Sequence, residues 1–138
     1  MTRICIRIIN GEKMKKRASD NSNPSSNPSE AHEQKQLIQW CRTDPRFQYL
    51  FHVPNESVGG PGWLTRNRQM GVKAGVPDLI YPVPMQGYHG LFIEMKTKTG
   101  RLSAEQKRWI AALETFGYKV VVAHGWEQAK EALQDYVR

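Results

Sequence analysis

The chain has 138 residues, with 20 Lys and Arg against 13 Asp and Glu, a formal charge of +7 and two cysteines. That length suits one domain whose core stands without disulfide staples, and no apolar run comes near the roughly 20 residues that would span a bilayer. The basic excess favours a polyanionic partner, nucleic acid above all, and no Cys-x-x-Cys or His-x-x-x-His pair offers a zinc spacing.

Met1 to Ile9 alternate Ile with Arg and Thr, without the continuous apolar stretch of a secretory signal. A cytoplasmic location is expected, with Cys5 and Cys41 as free thiols. Residues 10–29 are polar and rich in Ser, Asn and Pro. Residues 1–28, with six cations against two acids, read as a disordered basic arm. The folded domain is expected over 29–138.

Ser29 is a helix N-cap, and Glu30, Gln34, Leu37, Ile38 and Cys41 fall on one helix face. Asp44-Pro45 ends that helix. Tyr49 to Val53 is a short strand candidate. Asn55 to Gly75 holds five glycines and the cations Arg66, Arg68 and Lys73, and reads as a loop. Asp78 to Tyr81 is a strand stopped by Pro82 and Pro84, and Gly90 to Thr97 is a second. Ser103 begins a helix with Trp109, Ile110, Leu113 and Phe116 as its apolar face, ended by Gly117. Lys119 to Ala123 reads KVVVA, a strand buried on both faces, and Trp126 to Val137 is a last helix. The order α-β-β-β-α-β-α is an α/β class, and its closing β-α-β implies a parallel pair with a right-handed crossover.

Along GLFIEMKTKTG the side chains alternate, so Phe92, Glu94 and Lys96 share a face. The ordinary reading of Glu94 and Lys96 is an exposed pair on an edge strand, and that of Asp78 is a strand-start aspartate. A hairpin between their two strands would bring Asp78 and Glu94 together. Two such carboxylates repel unless a cation joins them, and a site with so few carboxylates suits Mg²⁺ or Mn²⁺. On the first helix Glu30 and Gln34 extend the apolar stripe; Glu30 also suits the helix dipole, and Glu33 competes with it. Gln106 faces inward near Trp109, while Ser103-x-x-Gln106 is also a capping box. The Asn55–Lys73 segment is the DNA-contact candidate through Arg66, Arg68 and Lys73, against the reading of a solvated loop. Lys98 and Arg101 are further backbone contacts, and His52 and Asn55 supporting residues.

Together, Glu30 with Gln34, HVPNE at 52–56, GVPD at 75–78, IEMK at 93–96 and Ser103-x-x-Gln106 followed by GYKVVVA resemble the VRR-NUC (virus-type replication-repair nuclease) family of the PD-(D/E)xK nuclease superfamily. The resemblance implies a restriction-endonuclease-like core, a mixed sheet flanked by helices, and Mg²⁺- or Mn²⁺-dependent phosphodiester hydrolysis. It implies metal ligation by Asp78, Glu94 and the Met95 carbonyl, with Glu30 reaching the metal directly or through water. Lys96 would orient the attacking water or stabilise the transition state, Gln106 would join the catalytic set by aligning Lys96 or the water, and Gln34 would support the site. Small members, typical of phages and bacteria, resemble Holliday junction resolvases and act as homodimers, which implies branched DNA as substrate. The competing readings are a non-catalytic DNA-binding module with this fold, and a nuclease of the superfamily with another target: a restriction enzyme, a nickase or an RNase.

Overall fold

The computed structural model describes residues 28–55, 60 and 62–138. The arm expected over 1–28 lies outside the described residues but for Pro28, as does Cys5. Helix α1 runs Glu30–Cys41, strand β1 Phe51–His52, helix α2 Trp63–Gln69, β2 Leu79–Tyr81, β3 Leu91–Lys96, α3 Ala104–Thr115, β4 Lys119–His124 and α4 Trp126–Tyr136. The four strands form one mixed sheet in the order β1-β2-β3-β4. The first two pairings are antiparallel and β3–β4 is parallel, with α3 as its crossover.

All six residues of β3 are buried, because it is an inner strand with a neighbour on each edge and helices over its faces. Leu91, Ile93 and Met95 point to the main core, with Leu37 and Cys41 of α1 and Ala129, Leu133 and Tyr136 of α4. Cys41 is a free, buried thiol, and burial pushes its pKa up to about 12, so it is inert at neutral pH. The other face of β3 turns toward α3, where Phe92 meets Tyr118 at 5.3 Å between ring centroids.

The connection from β2 to β3 doubles back at Gln86 and Gly87, both with positive φ (54° and 84°). That is the backbone of a type I′ turn. It is held to α4, where Gln86 Nε2 donates to the Asp135 and Tyr136 carbonyls at 2.6 and 3.0 Å. The buried Tyr136 hydroxyl donates to the Val83 carbonyl at 2.9 Å and accepts from the Met85 N–H at 3.2 Å. Tyr136→Phe leaves both backbone groups without that partner, so we expect a loss of about 1–3 kcal/mol. It would be read as a lower urea midpoint at unchanged slope.

Four local expectations are corrected. Strand β4, read as buried on both faces, is an edge strand on which only Ala123 is fully buried. The stretch 55–75, read as loop, contains α2. This helix has no buried residue, so it carries no apolar stripe for periodicity to find, and Gly62 and Gly71, both at positive φ, bracket it. Strand β1 covers only Phe51 and His52 rather than Tyr49 to Val53, and Tyr49 is exposed. Phe116, assigned to the apolar face of α3, is 61% exposed; it follows the last helical residue, so the inward stripe has already ended at Leu113.

Candidate active site

The β2–β3 ladder pairs Leu79 with Ile93, so one step further Asp78 stands opposite Glu94. Residues directly opposite share a face of the sheet, and the two carboxylates therefore converge on the face that carries Lys96. Asp78 Oδ2 accepts the Met95 N–H at 2.8 Å. Glu94 Oε1 accepts from Lys96 Nζ at 3.0 Å and from Gln106 Nε2 at 2.5 Å. Glu94 is 1% exposed and Lys96 6%, which removes the reading of a solvated pair on an edge strand. Gln106 serves both expected roles at once: its Oε1 closes the capping box on the Ser103 N–H at 2.9 Å while its amide reaches Glu94.

Helix α1 contributes from the other side. Glu30 Oε1 lies 3.3 Å from Lys96 Nζ. Glu33, its competitor, is used elsewhere, accepting the Trp126 N–H of α4 at 2.8 Å. Gln34 meets His52 Nδ1 at 3.0 Å, and that nitrogen lies 2.9 Å from the Asp78 carbonyl. A carbonyl only accepts, so His52 donates there. The Val53 N–H reaches the same carbonyl at 2.8 Å, and Asn55 Nδ2 donates to the Val76 carbonyl. The backbone on both sides of Pro77 is thus fastened, and with it the aim of Asp78.

Pro77 has a second effect. Extending the register one step puts it opposite Met95. Met95 hydrogen-bonds toward β2, since its N–H goes to Asp78 there, and a strand residue's carbonyl points to the same edge as its N–H. Proline has no N–H, so the Met95 carbonyl lacks its ladder donor. Beside it, Glu94 Oε2 is buried without any hydrogen-bond partner.

The electrostatics follow from this crowding. Burial pushes the Asp78 carboxyl above its usual range, against the Met95 N–H and the Lys96 charge. Burial, reinforced by the Asp78 charge, pushes Glu94 up to about 7 in spite of Lys96. For Lys96 burial acts downward, but the bond to Glu94 and the charges of Glu94 and Glu30 outweigh it, and its pKa is raised. Among the described residues no three His, Cys, Asp or Glu side chains form a metal cage by themselves. Mg²⁺ needs none, since one or two carboxylates with water and phosphate complete its shell. An orphaned carboxylate oxygen, a carbonyl without a donor and a second carboxylate, all oxygen, fit such a hard cation.

A stability test follows. In metal-free protein burial pushes the Glu94 pKa up to about 7, well above the usual carboxylate range. A raised folded-state pKa contributes stability that is full below the unfolded value and is lost as pH rises through the folded one. The melting temperature in EDTA should therefore fall between about pH 5 and pH 7 and level off above. Glu94→Gln should flatten that fall, and an unchanged slope would show that Glu94 does not hold the proton.

The cations proposed for DNA contact lie in two places. Arg66 and Arg68 sit on α2 and Lys73 just beyond it, while Lys98 and Arg101 lie in the turn after β3. All five are exposed, and none makes an ion pair among the described residues.

The model of the VRR-NUC domain matches residues 28–127. The chain belongs to the VRR-NUC family. Among solved structures this VRR-NUC chain is similar to one described as a VRR_NUC domain protein, at 31% identity, over 81% of this chain and 90% of that one, with a TM-score of 0.70. A search of the curated proteins finds no significant match. The family is one of nucleases, and the mixed sheet flanked by helices agrees with that neighbour. No helix among the described residues is long and apolar enough to cross a membrane.

Proposed function

We propose that this VRR-NUC chain is a Mg²⁺- or Mn²⁺-dependent endonuclease that cuts DNA, with branched DNA such as Holliday junctions as its substrate. The observation that carries the reading is the pairing of Asp78 with Glu94 beside Lys96, with Glu94 Oε2 left unpartnered. Asp78, Glu94 and the Met95 carbonyl would hold the cation, with Glu30 on its rim. A divalent ion bound there polarises a phosphoryl oxygen and acidifies a water.

The chain's own groups do the rest. Lys96, held between Glu94 and Glu30, would direct its ammonium at the negative charge that develops on the phosphoryl oxygens. Gln106 fixes the Glu94 carboxylate so that one oxygen stays on Lys96 and the other is left for the ion. His52 holds the Asp78 carbonyl, and Gln34 lies against the same imidazole. Arg66, Arg68, Lys73, Lys98 and Arg101 would take the phosphates flanking the cut. A homodimer would present two such sites to the paired strands of a junction, and a cytoplasmic setting in a phage-infected or bacterial cell would suit it.

The deciding experiment incubates the protein with a four-way junction, a flap, a duplex and single-stranded DNA, each with Mg²⁺, Mn²⁺ or EDTA, beside Glu94→Ala. Metal-dependent cutting of the branched substrates, lost in the variant, is expected. Cutting that persists in EDTA or in Glu94→Ala would remove the proposed site.

A further inference from the structure

Next to the acid cluster lies a hollow of a different character. It has a volume of about 310 Å³ and is walled by Val53, Pro54, Val72, Val76 and Trp109, with Asn55 and Lys73 as its polar members. No acidic residue lines it, whereas two carboxylates flank Lys96 in the adjoining site. The hollow begins where the site ends. Val76 lies two residues before Asp78, and Asn55 ties to its carbonyl. Trp109 lies one turn along α3 from Gln106, the residue that touches Glu94, and residues three apart share a helix side.

Trp109 is not a core residue. On α3 only Leu113 is buried, and the half-buried indole also walls a neighbouring hollow with Ala74, Ala112 and Phe116. A wide apolar plate beside an open cavity, with one ammonium and one amide near it, matches the chemistry of a nucleotide. The base offers an apolar π face, its edge offers hydrogen-bonding groups, and its phosphate takes a lysine. From Gly62 to Pro77 the sequence contains no acid, and in the neighbouring hollow Glu105 is accompanied by Arg108. Met70, 71% exposed, sits at the margin of the same cavity as a flexible apolar flap.

Resting on the nuclease reading above, we propose that this hollow receives one unstacked nucleobase of the DNA substrate, with Trp109 as the stacking wall and Lys73 on the adjoining phosphate. Drawing a base out of the stack costs least where it is already unpaired or strained. The hollow therefore favours DNA with a branch, flap or mismatch near the scissile phosphate over continuous duplex, and it acts on selection rather than on the chemical step.

The test is a binding comparison with Ca²⁺ in place of Mg²⁺, so that DNA is held uncut. Branched DNA is used intact, and again with each nucleotide flanking the cut made abasic in turn. Trp109→Ala should weaken binding of intact DNA about tenfold, the usual size of one stacking contact. It should make no difference on the one abasic substrate whose missing base is the one that is seated. Trp109→Phe should restore most of the loss, which a merely unfolded variant would not. Equal weakening on intact and on every abasic DNA, or no weakening at all, overturns the nucleobase site while leaving the nuclease reading in place. Failure of the unmodified protein to bind any DNA overturns both.

Discussion

Replacing Lys96 with methionine is expected to slow DNA cleavage by about 10²–10³-fold, the usual effect of removing one preorganised transition-state contact. Methionine keeps much of the stem's length and its apolar packing while deleting the charge, so lost cleavage can be separated from lost packing. The variant should also carry a signature in stability. Lys96 lies within 3.3 Å of Glu30 and 3.0 Å of Glu94, and Glu94 is buried. Without the ammonium, the buried Glu94 carboxylate faces the half-exposed Glu30 with no cation, and removing one partner of a buried pair costs about 3–5 kcal/mol. Protonation of Glu94 reduces that cost, so the deficit should be larger above pH 7 than below it. A divalent ion would offset it further, and Lys96→Met should gain more in melting temperature from Mg²⁺ than the unmodified protein does. Cleavage within a few-fold of normal would remove Lys96 from the reaction. Lost cleavage without the larger Mg²⁺ response would mean that the ammonium and the metal do not share the carboxylates.

The second large effect is expected at Gly75. Its φ is +87°, and a Cβ there would lie 2.7 Å from the carbonyl carbon and from the Cβ of Glu105, and 2.9 Å from the Gln106 nitrogen. The left-handed backbone alone costs a residue with a Cβ about 1–2 kcal/mol. The collision adds an overpacking cost of about 1–3 kcal/mol, because backbone at the start of a helix cannot swing aside. Gly75→Ala should therefore lose about 2–5 kcal/mol. Gly87→Ala is the matched control: its φ is +84°, but nothing lies within 4 Å of its Cβ, so only the smaller backbone cost applies. Equal losses at the two positions would mean that the close approach contributes nothing. Gly75→Ala should also lose activity beyond its loss of fold, since the residue it displaces adjoins Gln106, and Gln106 holds Glu94.

The fold class was legible because its signals were strong where the core is. LFIEMK is an apolar run that an inner strand buries on both faces, KVVVA is a β-branched run that pairs beside it at the sheet edge, and the helix between them begins at a capping box and ends at a glycine. Helix α2 was illegible because nothing in WLTRNRQ is buried. A helix held by its own backbone and by glycines at both ends writes no periodicity. Within the site, alternation put Glu94 and Lys96 on one face, and the hairpin predicted the meeting with Asp78. The choice between Glu30 and Glu33 was open, because both sit in the first turn; only the position of α4, whose first N–H claims Glu33, separates them. The double duty of Gln106 could be guessed from spacing, but its contact with Glu94 depends on how closely the loop at Gly75 lets α3 approach. The Trp109 hollow left no trace in sequence, where a tryptophan on a helix with leucine and isoleucine reads as core.

The bond from Glu33 to the Trp126 N–H bears on the order in which the molecule is made. Glu30 stands one turn from Glu33, so among the described residues the helix that brings a carboxylate to Lys96 from outside the sheet is anchored to α4, which is made after the whole sheet. A ribosome-bound chain that has emerged only as far as β3 already contains Asp78, Glu94 and Lys96. It still lacks Gln106 on α3, the parallel neighbour of β3, and the amide that pins α1. On the nuclease reading, cutting power would then appear only once α4 has been made and has docked, which spares the nucleic acid around the ribosome from a half-finished site.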